Sequence, residues 1–231
     1  MLSLFLLNPA HADCMSPQAF FSTDPVVPQS ATVFFFAPPN AAMQPRFTVL
    51  DAQETPVPFT AESLGGLLGA WQLKIEAATP GEITLSAAFS EDTWIAAQPM
   101  TLTVTADWQA PEGRSLTAME VTSDIWPCSH QLSTDLKVTG TAPAAWAVEW
   151  APSAEAWTAG QRQTDWLPGN LMGFYRHTGD RSIRLELGHI SCLGDAFAWS
   201  GPEIIARVVA VDADGTYRPL LDTPTAIPRP K

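Results

Sequence analysis

Apolar and polar residues alternate in several short runs along this chain, most cleanly in Trp71-Gln72-Leu73-Lys74-Ile75-Glu76. Successive side chains of an extended strand leave opposite faces, so this run predicts a strand with one buried and one wet face. Met100-Thr101-Leu102-Thr103-Val104-Thr105, Ala145-Trp146-Ala147-Val148-Glu149-Trp150 and Ile183-Arg184-Leu185-Glu186-Leu187 repeat the pattern. Ala31-Thr32-Val33-Phe34-Phe35-Phe36-Ala37 is β-branched and aromatic without a polar face, which predicts a buried strand. Residues 46–50 and 57–62 flank the polar Asp51-Ala52-Gln53-Glu54 and are expected to pair as a hairpin. Pro80-Gly81 turns the chain into a strand over 83–89. Further strands are predicted at 116–121, 132–138 and 204–211, the last followed by the turn Asp212-Ala213-Asp214-Gly215. Pro, Gly and Thr interrupt the Ala-rich segments before a 3.6-residue period can repeat, so no helix longer than a turn or two is expected.

Short strands separated by turn signals predict an all-β protein. A length of 231 residues accommodates two sandwiches of about 100 residues each. The segment Asp107-Trp108-Gln109-Ala110-Pro111-Glu112-Gly113 has the composition of a connection, so the boundary is set at 108–113, with one sandwich over 13–107 and a second over 114–231. The tail from residue 222 onward, broken by Pro and charge, is expected to be loose.

The run from Ala206 through Val211 to Thr216 resembles the last hairpin of fibronectin type III domains, and Trp146-Ala147-Val148-Glu149-Trp150 resembles their third strand. The first unit, with Asn40 near its opening and the Thr-Leu-Thr-Val-Thr strand closing it, resembles the Ig-like domains of bacterial exported proteins. The resemblance implies two tandem Greek-key β-sandwiches, Ig-like and then fibronectin type III-like. The tyrosine that fibronectin domains carry before the penultimate strand has no counterpart, and Leu187-Gly188-His189-Ile190-Ser191-Cys192 stands near its place.

Charge and the N-terminus narrow the setting. The net charge is -12, and between Asp13 and Asp107 ten acidic residues face only Arg46 and Lys74, so nucleic acid is excluded as a partner. Leu2-Ser3-Leu4-Phe5-Leu6-Leu7 followed by Ala10-His11-Ala12 has the form of an apolar core and a small-residue cleavage site, which assigns 1–12 to a signal peptide remnant without a basic leader. Asp13 before Cys14 argues against lipid attachment, and no later stretch has the length of a membrane span. An exported, periplasmic, cell-surface or extracellular protein is expected, with no membrane insertion of the mature chain. The oxidising compartment favours cysteine pairing. Cys128 and Cys192 are the expected disulfide, with Cys14 left over or competing for either partner.

Catalytic and metal chemistries find little footing. No Gly-x-Ser-x-Gly elbow occurs. His189 and Cys192 stand three apart, a spacing that sends strand side chains to opposite faces. His130, His177 and His189 form no paired metal-ligand spacing, and Asp212-Ala213-Asp214-Gly215 lacks the later ligands of a calcium loop, so a tight turn is expected there, with no metal and no cofactor. The stretch 151–181 lacks clean alternation and carries Trp157, Arg162, Trp166, Phe174, Tyr175, Arg176 and Arg181. Arg and large aromatics dominate binding hot spots and planar rings stack on sugars, whereas the same rings also serve as core plugs. Trp157, Arg162, Trp166, Tyr175 and Arg176 are therefore the candidate ligand-binding residues. The reading is a non-catalytic exported structural, adhesive or protein-binding module whose partner is a protein or glycan. A carbohydrate-binding protein is the alternative, and a hydrolase of unfamiliar design a weaker one.

Overall fold

The computed structural model describes residues 19–37, 44–65, 69–76, 78–89, 97–111, 121–126, 129–137, 143–169, 182–190, 201–220 and 223–228. The first half forms eight strands: β1 (Phe20–Ser22), β2 (Val26–Pro28), β3 (Ala31–Phe36), β4 (Arg46–Asp51), β5 (Phe59–Gly65), β6 (Ala70–Ile75), β7 (Gly81–Ala88) and β8 (Met100–Thr105). They build two four-stranded sheets, ordered β1-β3-β6-β5 and β2-β8-β7-β4, in which only β2 and β8 run parallel. The second half adds β9 (Val121–Trp126), β10 (Ser129–Lys137), β11 (Ala145–Ala151), a short helix α1 (Ala154–Thr158), β12 (Gln163–Pro168), β13 (Ser182–Ile190), β14 (Glu203–Val211), β15 (Tyr217–Pro219) and β16 (Thr225–Pro228). These make a three-stranded sheet β13-β10-β9 and a five-stranded sheet in which β14 pairs with β11 on one side and with both β15 and β16 on the other. The chain is all-β with sandwich-like sheets.

Side-chain alternation in β3 explains how the sheets stack. Ala31, Val33 and Phe35 enter a core shared with Val49, Ile83, Leu85, Leu102 and Val104 of the facing sheet, while Phe34 and Phe36 enter a second core. That second core contains Ala145, Ala147, Trp166, Val209 and Val211 from the second half of the chain. Three sheets are thus layered, with β1-β3-β6-β5 in the middle and apolar on both faces. Burying one Phe stabilises by about 1.5–3 kcal/mol, so Phe34 and Phe36 together contribute several kcal/mol to holding the two halves against one another.

The strand over Trp71–Glu76 departs from its expected wet face for this reason. Gln72 and Ala70, on the polar side of the alternation, are buried because the second half covers them, and only Lys74 and Glu76 remain exposed. The expected hairpin between 46–50 and 57–62 also differs. Its tip forms, with Val57 N donating to Val49 O at 2.9 Å and an isolated bridge between Leu50 and Pro56. Beyond it the two strands part: β4 pairs with β7, and β5 pairs with β6 in the other sheet. Pro56 and Pro58 have no N–H with which to continue a ladder toward β4. The tail expected to be loose contributes β16, whose Ile227 is fully buried.

Polar groups complete the junction. Ser22 Oγ donates to the carbonyl of Ala144 at 2.7 Å and accepts from the backbone N–H of Gly169 at 2.9 Å, and Thr32 N donates to Ala213 O at 2.6 Å. At Gly169 any Cβ would run into the carbonyl of Pro143, which explains a glycine there. Ser22→Ala removes one hydroxyl and strands two buried backbone groups from different segments of the second half. The expected cost is about 1–3 kcal/mol, read as a lower urea midpoint at unchanged m-value; an unchanged midpoint would show that the Ser22 bridge contributes nothing.

Candidate functional site

The irregular stretch begins with a helix of five residues, capped at both ends by signals visible in the sequence. Ser153 Oγ accepts from Ala156 N at 3.2 Å, the standard N-cap bond. At the other end Gln161 N donates to Ala156 O at 2.9 Å and Gly160 N to Trp157 O at 3.1 Å, the paired bonds of a Schellman turn. Gly160 takes the left-handed conformation this turn requires, at φ 76°. The reversal brings Arg162 back over the helix, with its guanidinium carbon 4.4 Å from the centre of the Trp157 ring. Arg207 also approaches that ring, at 5.8 Å.

Arg207 and Arg162 differ in their partners. Arg207 Nε and Nη2 reach Glu149 Oε2 at 2.9 and 2.5 Å, a cross-strand pair fixed by the β11–β14 register, which sets Glu149 opposite Arg207. Arg162 is exposed and, among the described residues, makes no ion pair with a carboxylate. Stacking on a ring holds a guanidinium flat and leaves its N–H groups pointing outward in the plane, available to a carboxylate. Nearby on the same sheet, Tyr217 is 51% exposed and stands edge-on to Trp166 at 6.2 Å between ring centres. Partial burial raises the Tyr217 phenol above its ordinary value, a hydrogen bond with Gln72 opposes the rise, and the negative charges of Glu149 and Glu62 add to it.

Of the five residues expected to bind a ligand, the structure brings Trp157 and Arg162 together at the surface. It places Trp166 in the core, 7% exposed and stacked on Phe34 at 5.3 Å, so that ring serves the junction between the halves. Trp166 belongs to β12, a strand with only partial alternation whose position opposite Ala147 carries the ring inward. Tyr175 and Arg176 lie outside the described residues, as do Phe174, His177, Arg181, Cys14, Cys128 and Cys192. Glu149, Arg207 and Tyr217 are surface partners that the candidate set omitted; the signal for the first two is a charge interrupting each of the apolar runs 145–151 and 204–211.

Asp212 to Gly215 forms a tight turn, with Gly215 at φ 79° donating to Asp212 O at 2.9 Å and Thr216 N donating to Asp214 Oδ1 at 2.8 Å. The buried Asp212 carboxylate is met by Arg218 Nε at 2.5 Å. Among the described residues no three His, Cys, Asp or Glu side chains gather as a metal site, and no helix is long and apolar enough to cross a membrane. His130 and His189 sit on adjacent strands one register step apart, with His130 opposite Ile190.

Asp165 supplies a pH test of the packing behind the site. Its Oδ2 accepts from Trp150 Nε1 at 2.9 Å, but burial outweighs that bond and raises its pKa above the ordinary 3.8. A carboxyl with a raised folded-state pKa favours folding below its unfolded pKa and loses that contribution as pH rises through the folded value. Asp165→Asn keeps an acceptor for Trp150 and removes the ionisation. It is expected to be more stable than the native chain at neutral pH, with the difference shrinking as pH falls toward 3.8, measured by thermal melts across pH; a difference independent of pH would refute the assignment.

No protein family matches the sequence, and no curated protein matches it. Among solved structures, a pullulanase from Anoxybacillus sp. LM18-11 complexed with maltotriose aligns at TM-score 0.24 and 10% identity, over 89% of this chain and 25% of that one. The pullulanase from the same organism without that description of a ligand aligns at TM-score 0.23 and 12% identity, over 83% and 26%. The chain therefore spans about a quarter of the length of each pullulanase, and similarity at this level carries no argument about fold or function.

Proposed function

We propose that this chain is a non-catalytic, exported protein-binding module made of an Ig-like sandwich joined to a fibronectin type III-like one. Strand order supports the two fold assignments. Lettered in sequence with β2 as an addition to the first strand, the first half reads A-B-E-D in one sheet and C-F-G in the other, the arrangement of constant-type Ig domains. Among the described residues of the second half β11 is the third strand and β14 with β15 the last hairpin, the positions to which the fibronectin resemblance assigned those segments. Export is supported by the apolar run and small-residue pattern of the first twelve residues.

The observation that carries the binding reading is the Arg162 guanidinium over Trp157. Stacking of a sugar on an aromatic ring needs an open ring face, and here the chain's own arginine occupies a face. The same pair suits a protein partner: Trp and Arg are among the residues enriched in hot spots, and a side chain already held by stacking loses less rotamer entropy when its guanidinium pairs with a carboxylate. The adjoining β12 is, among the described residues, the outermost strand of its sheet, so the pair stands beside a sheet edge.

Two measurements separate the readings. A photo-crosslinker placed at the exposed Gln163 in the source cell is expected to capture a protein, and capture is expected to fall about tenfold with Arg162→Ala, the loss of one charge-assisted contact. On a glycan array the full chain is expected to retain nothing; a glycan held by the native chain and released by Trp157→Ala would replace this reading with the carbohydrate one. Turnover on a panel of glycan or peptide substrates would overturn the non-catalytic assignment.

A further inference from the structure

The seam between the halves ends in a group of side chains that the packing leaves open. Phe34 of β3 lies opposite Gln72 of β6, and Gln72 lies opposite Glu62 of β5, so the three form one row across the middle sheet. Directly opposed residues share a face, with Cβ atoms about 4.5–5.5 Å apart. This is the face that the second half covers, since Phe34 enters the second core. Trp166 stacks on Phe34, and Tyr217 stands edge-on to Trp166 with its phenol hydrogen-bonded to Gln72. Cover stops there, and Glu62, one strand further, is exposed.

Two features of this rim point to a partner. Val26 and Tyr217 are the only large hydrophobic side chains among the described residues that stay exposed. Trp166 and Gln72 hold the Tyr217 side chain from two directions, so little rotamer freedom remains to be lost when a group packs on its ring. Glu62, in turn, makes no ion pair among the described residues. The arginines nearest the phenol in the chain are engaged, Arg207 by Glu149 and Arg218 by Asp212, and Lys74 stands opposite Thr60 rather than Glu62. The negative charges of Glu62 and Glu149 both reach the phenol. A cation over an aromatic ring is drawn to its negative face, and a carboxylate beside the ring adds to that attraction. Between Asp13 and Asp107 ten acidic residues face only Arg46 and Lys74, so a basic group approaching this rim meets a predominantly negative surface.

We propose that Tyr217 and Glu62 form a second contact of the binding surface, at which the protein partner sets a lysine or arginine side chain on the phenol ring against the Glu62 carboxylate. The proposal rests on the protein-binding reading of the Trp157–Arg162 pair and adds to it the charge pattern of the partner: a carboxylate for Arg162 and a cation for Glu62. Glu149 links the two contacts, because its carboxylate pairs with Arg207, which approaches Trp157, and its charge also reaches the phenol. Tyr217 comes from β15 and Glu62 from β5, so this contact is complete only when the two halves are docked.

Ring-13C NMR of tyrosine in the full chain tests the contact with a defined probe, the peptide acetyl-Gly-Lys-Gly-amide. The chain has two tyrosines, and Tyr217→Phe assigns the Tyr217 signal by deleting it. The peptide is expected to shift that signal saturably, and the same peptide acetylated on the lysine Nζ to leave it unmoved. Glu62→Gln is expected to weaken the peptide about fivefold, the upper end for one exposed charge pair, whereas Glu82→Gln, which removes an exposed carboxylate from β7, changes it less than about twofold. Thermal melts of both variants are expected to match the native chain. An unmoved Tyr217 signal, equal shifts from the charged and acetylated peptides, or equal losses in Glu62→Gln and Glu82→Gln would overturn the proposal. The titration needs no captured partner, so an empty crosslinking experiment would strike the protein-binding reading, while an unmoved Tyr217 signal strikes this contact alone.

Discussion

A strand can be buried on both faces only if each side of its pleat finds a separate apolar partner. β3 meets that demand with six buried residues: Ala31, Val33 and Phe35 face the first-half core, and Phe34 and Phe36 face β11, β12 and β14, with the hydroxyl-bearing Thr32 also buried. Remove the second half and two large aromatics and Ala70 on the middle sheet would meet water. The same holds in reverse for Trp166, Val209 and Val211. The two halves are thereby made interdependent by the hydrophobic effect, and the hydrogen bonds through Ser22 and Thr32 fix their alignment without supplying the main driving force.

That interdependence accounts for the residues around the rim of the junction. Gln72 is buried where its strand pattern predicts exposure, and it can be buried because the Tyr217 phenol hydrogen-bonds it. Beyond the apolar centre the β11–β14 sheet carries Glu149 paired with Arg207, and beside it α1 and the connection that follows present Trp157 and Arg162 at the surface. The candidate binding pair is therefore anchored by rigid sheet on one side and a doubly capped helix on the other. Its position follows from local backbone chemistry at Ser153 and Gly160 rather than from long-range packing.

Local patterning made much of the fold legible. The runs at 31–36, 100–105, 145–150 and 204–211 lie within observed strands because their composition and period speak to each strand alone. Pairing was less legible: residues 46–50 and 57–62 flank a good turn, yet their partners lie in different sheets, and a turn signal carries no information about sheet membership. The doubly buried Ala31–Phe36 run did announce two apolar faces, but nothing in the run names what covers the second. Trp166 illustrates the limit at the site. Its neighbourhood reads as irregular surface, and only the β11–β12 register turns the ring onto Phe34. Helix α1 was legible in principle, since Ser153 and Gly160 bracket it with a cap at each end, but five residues are too few for a hydrophobic period to register.

Because Phe34 and Phe36 share a core with Trp166, Val209 and Val211, the two halves should unfold as one. Differential scanning calorimetry of the full chain tests this directly. A shared core predicts a single transition whose calorimetric enthalpy equals its van't Hoff enthalpy. Two resolved transitions, or a calorimetric enthalpy about twice the van't Hoff value, would contradict it by showing that each half keeps its structure without the other.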